Sequence, residues 1–333
     1  MGRRAIAVTV TRCAVLACAA TLGVAGASGC RTKPRMTDAH FAKTIALAAD
    51  RGCGRMKDEH VRCWGKSGTS EISGVTGAVE IALDARGGCA RMPAGTVRCW
   101  RGDSPAADVA GVTDAVEIAA SDREECARLA GGTVACWGDD LRAAPAPGIA
   151  GATSIGVGRA AACAVVADGA VQCWRGRVGV IPHLRGVVRV AVGGTHACAV
   201  GADAHVRCWG ENREGQLGDG TVIDRDEPVE VAGLERVADV ALGDRFSCAL
   251  ALDATVRCWG DNARSQLIDG TTAHRATPSL LFGLFEAFQV AAGDAAACAR
   301  MGNGDVRCWG AIDVPGTRVP PGASLTVPTV VRW

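Results

Sequence analysis

The sequence has no tyrosine, and aromatic residues make up only 4% of its 333 positions. That scarcity weakens a carbohydrate-binding reading, which draws on exposed Tyr and Trp platforms. Neither charge is in excess: 36 basic residues face 35 acidic ones, for a net charge of +1. Nothing electrostatic therefore points to nucleic acid or an anionic membrane surface as partner. No C-x-x-C pair occurs, and the six histidines (His40, His60, His183, His196, His205 and His274) show no H-x-x-x-H spacing. Zinc-ribbon and thioredoxin chemistry have no support, and no metal is expected. There is no G-x-S-x-G elbow, P-loop, H-E-x-x-H or calcium loop. The carboxylates lie in turns or opposite Arg, as on a solvated face. The densest acid–base group is Asp122, Arg123, Glu124 and Glu125. No catalytic residue is nominated, no cofactor is expected, and the chain does not read as an enzyme.

What is abundant is cysteine, with 17 residues. Without metal spacing, that number implies an oxidising compartment. The N-terminus agrees. Arg3, Arg4 and Arg12 precede an apolar run from Cys13 to about Ala25, too short to span a bilayer and ending in small residues, as in a secretory signal. Two cleavage schemes compete. Ala25-Gly26-Ala27 fits an ordinary signal peptidase, whereas Ala27-Ser28-Gly29-Cys30 resembles a bacterial lipobox with Ala27 in place of the usual Leu. Cleavage before a lipidated Cys30 leaves an even 14 cysteines, whereas cleavage after Ala27 leaves Cys30 as an odd thiol. Parity favours lipidation. The Arg3-Arg4 pair hints at twin-arginine export, but the rest of that motif is missing. The expected organisation is a signal peptide over 1–29, a lipidated Cys30 with a short tether over 30–39, and one folded unit over 40–333.

The remaining cysteines form seven pairs with identical spacing: Cys53–Cys63, Cys89–Cys99, Cys126–Cys136, Cys163–Cys173, Cys198–Cys208, Cys248–Cys258 and Cys298–Cys308. A Trp follows each second cysteine: Trp64, Trp100, Trp137, Trp174, Trp209, Trp259 and Trp309. This is a repeat protein. Each pair brackets a strand–turn–strand pattern, with Asp168-Gly169 midway between Cys163 and Cys173 as a hairpin requires. Facing cysteines across such a hairpin are close enough for a disulfide. A third strand ends about five residues earlier, alternating β-branched residues with a small one, as in Ile45-Ala46-Leu47, Ile155-Gly156-Val157 and Val190-Ala191-Val192. Pro228 to Val231 and Pro278 to Leu281 are candidate outer strands. Four short strands per unit and seven units predict an all-β, seven-bladed β-propeller with one hairpin disulfide per blade. The first unit lacks an evident outer strand, so Ser324 to Val331 is expected to supply it and close the ring. The Trp residues read as one buried wedge per blade rather than as sugar platforms or a photoreceptor cluster.

The run His196-Ala197-Cys198 through Cys208-Trp209-Gly210, then Asn212-Arg213-Glu214-Gly215-Gln216-Leu217-Gly218, resembles the repeat of the regulator of chromosome condensation (RCC1) family. A second copy runs from Cys258-Trp259-Gly260 to Asn262, Gln266, Leu267, Asp269, Gly270 and Thr271. The likeness extends over about residues 42 to 333. Second cysteines follow one another at 36, 37, 37, 35, 50 and 50 residues, so only the fifth and sixth units carry the long insert. The resemblance implies a propeller, and a cysteine pair in each unit is similar to exported bacterial relatives. The nuclear archetype exchanges nucleotide on a small GTPase. No loop long enough for a nucleotide-releasing wedge is evident, so that function is not transferred.

In repeat scaffolds the loops that vary do the binding. The loops before each first cysteine nominate Arg86, Asp122, Arg123, Glu124, Arg159, His196, Asp244, Arg245 and Phe246 as binding residues, with Phe246 reading equally well as a blade-to-blade packing residue. Leu280 to Phe288, with Phe282, Phe285 and Phe288, reads as an outer strand and inter-blade connection, with an exposed docking patch as the alternative. The expected function is a monomeric, envelope-anchored scaffold, on the outer membrane or cell surface or alternatively secreted, that binds another envelope or secreted protein through one loop face. Alternatives are an inhibitor of an exported enzyme, since a secreted RCC1-like propeller inhibits β-lactamases, and an envelope hydrolase or lyase. The last needs carboxylates converging at a mouth of the central channel.

Overall fold

The computed structural model describes residues 42–176, 178–317, 319–320 and 323–333, with only the backbone of 42 and 43. The expected signal peptide, Cys30 and the whole of the expected tether over 30–39 lie outside the described residues. Each cysteine-bracketed segment is an antiparallel hairpin whose two cysteines are direct partners, as in Cys163↔Cys173. Their Cα atoms are 3.9–4.1 Å apart and all seven disulfides are formed. At the Asp168-Gly169 turn, Gly169 has φ +74° and its N–H donates to the Val166 carbonyl at 2.8 Å. The innermost strand pairs with the first cysteine strand, and its small residue always sits opposite that cysteine: Ala46↔Cys53, Gly156↔Cys163, Ala291↔Cys298. Crowding explains the small residue. A Cβ on Gly156 would lie 2.9 Å from the Val190 carbonyl of the next blade.

These hairpins build seven four-stranded antiparallel sheets, a seven-bladed propeller without helix among the described residues. The outer strands of the fifth and sixth blades are Arg225–Glu230 and Arg275–Leu280, where the Pro228 and Pro278 segments were expected. Seven apolar clusters form the core, one at each blade interface including that between the seventh and first. Each holds one blade's Trp against the previous blade's outer connection, as Trp309 against Leu281 and Leu284. Trp174 is the partly exposed exception to the buried-wedge expectation.

Ring closure differs from the sequence expectation. Leu325–Val330 pairs with Val306–Gly310 and is the seventh blade's own outer strand. The first blade supplies its own, Gly68–Ile72, through a tight Gly65-to-Gly68 turn. Side chains close the ring instead. Val331 and Trp333 pack on Trp64 as Leu281 and Leu284 pack on Trp309, with the Trp64 and Trp333 rings edge to face at 5.0 Å. Gln289 exchanges two hydrogen bonds with the Ile45 backbone, at 3.0 and 2.8 Å. Internally, Glu117 accepts from the Ile155 N–H in the corresponding way at 3.3 Å.

Candidate functional site

Antiparallel topology sends the loop before each first cysteine, and the segment after each Trp, to the same face of the disk. Residues of all seven loops surround the central channel there, enclosing about 130 Å³. Asp84, Asp122, Asp244 and Asp294 line this mouth. Arg159 lies among them, with its guanidinium 2.9 Å from Asp244, 3.4 Å from Asp294 and 3.7 Å from Asp122. It thus ties the fourth blade to the third, sixth and seventh. Burial raises the Asp294 pKa, with Arg159 opposing and Asp244 and Asp122 reinforcing. The loop bearing Arg159 is itself clamped: Arg175 donates to the Gly158 and Arg159 carbonyls at 2.6 and 3.1 Å and pairs with Glu124 at 2.7 Å.

Beside the mouth lies a second ionic cluster. Asp84 accepts the backbone N–H groups of Gly87 and Arg86 at 2.6 and 2.8 Å, and Arg86 reaches Asp139 at 2.7 Å. Glu125 is fully buried, 2.6 Å from Arg101. Burial pushes its pKa up to about 7, with Arg101 opposing and Asp84 reinforcing. A carboxyl in that range can hold or release a proton near neutrality. Glu125 belongs to no loop tip, and its burial puts it out of reach of a bulky substrate.

The nominated binding residues separate into two groups. Arg86, Asp122, Arg123, Glu124, Arg159, Asp244 and Arg245 stand on the loop face. His196 and Phe246 do not: they open the strands His196–Gly201 and Phe246–Ala251 and are 1% and 0% exposed. Phe246 packs between the sixth and seventh blades among Leu267, Leu284 and Trp309. His196 supports the insert. Ser247 donates to the Gln216 carbonyl at 2.9 Å, so its oxygen accepts from His196 Nε2–H at 2.7 Å. Burial pushes the His196 pKa down to about 3, which keeps the ring neutral. With its hydroxyl proton committed to a backbone carbonyl, Ser247 is not an activated nucleophile.

The two inserts are wedges. Asn212 is fully buried, accepts from Leu217 N–H at 2.9 Å and donates to the Thr221 and Ile223 carbonyls, both at 3.1 Å. This folds residues 212–223 over the next blade, where the Gln216 carbonyl accepts the Trp259 indole N–H at 2.8 Å. Gln266 caps Trp309 identically at 2.7 Å. Around the rest of the face lie a cleft of about 560 Å³ including Lys66, Arg264 and Asp313, and one of about 320 Å³ including Arg123, Trp137 and Trp174. Glu124, Cys126 and Cys136 come together in the way metal ligands do, but the two sulfurs are bonded to each other. On the opposite face, Leu280 to Phe288 ends the sixth blade's outer strand and forms the connection to the seventh, as expected. Leu281 and Leu284 turn inward, leaving Phe282, Phe285 and Phe288 exposed at 73%, 54% and 62%.

Comparison with known proteins agrees with this architecture. The regulator of chromosome condensation (RCC1) repeat matches residues 203–250, and a second profile of the same description matches 187–216 and 237–266. A search of curated proteins returned no match. Among solved structures, yeast RCC1 (Prp20) bound to Kap60 superposes with a TM-score of 0.68 at 16% identity, covering 94% of this chain and 91% of that one. Prp20p of Saccharomyces cerevisiae, described with its binding to Gsp1p and histones, gives 0.61 at 19% identity over 87% and 76%. The CRINKLY WD40 ectodomain of the Arabidopsis thaliana receptor kinase ACR4 gives 0.57 at 19% identity over 88% and 98%. From its repeated hairpins, its ring of blades and these matches together, the chain is a seven-bladed repeat propeller that resembles RCC1 in fold and matches the RCC1 repeat over residues 187–266.

Proposed function

We propose that this protein is a non-enzymatic binding scaffold of the bacterial envelope, exported, lipidated at Cys30, and engaging another envelope or secreted protein through its loop face. RCC1-like propellers serve as protein-binding scaffolds, and the neighbours bound to Kap60, or studied with Gsp1p and histones, engage proteins. The observation that carries the reading is the Arg159 network, which locks loops from four blades into one polar surface. A surface already ordered loses little conformational entropy when it binds. Inhibition of an exported enzyme is one form such binding takes. The hydrolase or lyase reading draws on the same convergence of Asp122, Asp244 and Asp294, but all three carboxylates face Arg159.

Chemical crosslinking on intact cells, capture of this protein and mass spectrometry of its companions test the proposal. A single stoichiometric protein partner crosslinked to loop-face residues supports it. Recovery without a protein partner overturns it and directs attention to turnover of glycans or small molecules.

A further inference from the structure

The propeller contains two examples of how its loop face holds a loop. In the fifth blade the bed for the insert consists of Thr195 and His196 before the first cysteine, Trp209-Gly210 after the second, the outer strand, and Trp259 of the next blade. Gln216 fills it: its side chain reaches Thr195 Oγ1 at 3.1 Å and its carbonyl takes the Trp259 indole N–H. Leu217 and Val231 pack beneath, in the same apolar cluster as Trp259. The repeat register carries these positions onto the third and fourth blades one by one. Arg123 and Glu124 replace Thr195 and His196, Trp137-Gly138 replace Trp209-Gly210, Ala144 to Ala146 replace Val229 to Val231, and Trp174 replaces Trp259.

There the segment after Trp137 is short and no wedge is present. Those same residues instead line the cavity of about 320 Å³. The indoles here differ from those under the inserts. The indole N–H groups of Trp64, Trp100, Trp137 and Trp174 are buried and have no acceptor among the described residues, whereas those of Trp259 and Trp309 are capped by a backbone carbonyl, and two of the uncapped four, Trp137 and Trp174, line this one cavity. A buried donor without an acceptor carries a desolvation cost that a carbonyl relieves. Trp174, which stands where Trp259 stands under the insert, offers such a buried N–H on the wall of the cavity.

We infer that the bed between the third and fourth blades binds an extended loop of a partner protein, which seats as the chain's own inserts seat on the following blades. The required chemistry is a small–polar–apolar turn of the Gly-Gln-Leu kind, offering a backbone carbonyl to an indole, with a carboxylate beside it for Arg123. Arg123 is exposed and makes no ion pair among the described residues, whereas neighbouring Glu124 is already held by Arg175. A second copy of this chain cannot supply the loop, because Gln216 and Gln266 are fully buried in their own beds. The inference rests on the binding-scaffold reading and narrows it to one sector of the face.

The test uses the full processed chain with ¹⁵N-labelled tryptophan and, as probe, an acetylated and amidated peptide of residues Asn212–Thr221. The Trp174 indole signal is identified by its loss in Trp174→Phe. Titration is expected to move that signal with a dissociation constant on the order of 1 mM, as suits about 4 kcal/mol of binding. Arg123→Glu should weaken the response at least fivefold, and a scrambled peptide should leave it unmoved. A variant with residues Asn212–Thr221 grafted after Gly138 fills the bed from within, so its Trp174 signal should no longer respond. An unmoved Trp174 signal in the wild type, an equal shift with the scrambled peptide, or a response that survives the graft overturns the inference. Partner capture through other blades would leave the scaffold function standing, so the two failures are distinguishable.

Discussion

At the scale of single residues, the ionic cluster beside the channel mouth makes stability depend on pH. Glu125 has a pKa raised from 4.5 to about 7 by burial, with Arg101 opposing and Asp84 reinforcing, while Arg86 and Asp139 complete its surroundings. A raised carboxyl contributes stability that is complete below pH 4.5 and is lost as pH climbs towards 7. Glu125→Gln mimics the protonated form. Relative to wild type, it should therefore gain about 3 kcal/mol between pH 4 and 8, read by urea denaturation. A constant difference across that range would contradict the assignment. Backbone geometry gives a second residue-scale outcome. Ala204 holds φ +60° in the hairpin turn where the fourth blade has Gly169 at +74°. Ala204→Gly should raise the unfolding free energy by up to about 1 kcal/mol, the strain relieved on leaving a left-handed L-residue. No change in denaturation midpoint would show that the turn tolerates Ala without strain.

At the scale of elements, the hairpins were legible because cysteine spacing, the central turn and the alternating small residue all specify one register. The small residue acquires its reason only in the sheet, where Ala46, Gly156 and Ala291 stand opposite disulfide cysteines. Gly68–Ile72 was not legible: Gly-Thr-Ser-Glu-Ile lacks apolar alternation, since most of that edge strand faces water. Strand ends lack a sharp signal, so His196 and Phe246 fall in loops on sequence alone; both are buried first residues of strands, and Phe246 takes up the alternative of blade-to-blade packing. The Arg159 network joins positions 85 and 135 apart in sequence, which only the closed ring brings together. Each staple should act within its own hairpin. Replacing Cys163 and Cys173 together by Ala removes an eleven-residue loop closure worth roughly 3 kcal/mol. Chemical denaturation of the double variant against wild type checks that value. The insert has its own keystone: Asn212→Ala strips the Leu217 N–H of its acceptor. It should cost about 2 kcal/mol and raise hydrogen exchange at Leu217 more than at Leu267, whereas equal exchange would mean the wedge does not depend on Asn212.

At the scale of the whole molecule, closure rests on side chains from the two ends of one ring rather than on an exchanged strand. Trp333 against Trp64 and Gln289 against Ile45 are the contacts involved. Trp333→Ala should cost about 2 kcal/mol through lost aromatic burial and should loosen the first and seventh blades before the others in hydrogen exchange. Uniform loosening would argue that the terminus is not the latch. A ring closed in this way and stapled in every blade presents the loop face as one rigid surface. The most direct measurement of that central claim places a photocrosslinking amino acid in turn at Asp122, Arg123 and Arg245 on the loop face, and at Leu252 on the hairpin face, in living cells. The account predicts one protein partner captured from the loop-face positions and none from Leu252. Equal capture from both faces, or capture from Leu252 alone, would contradict it.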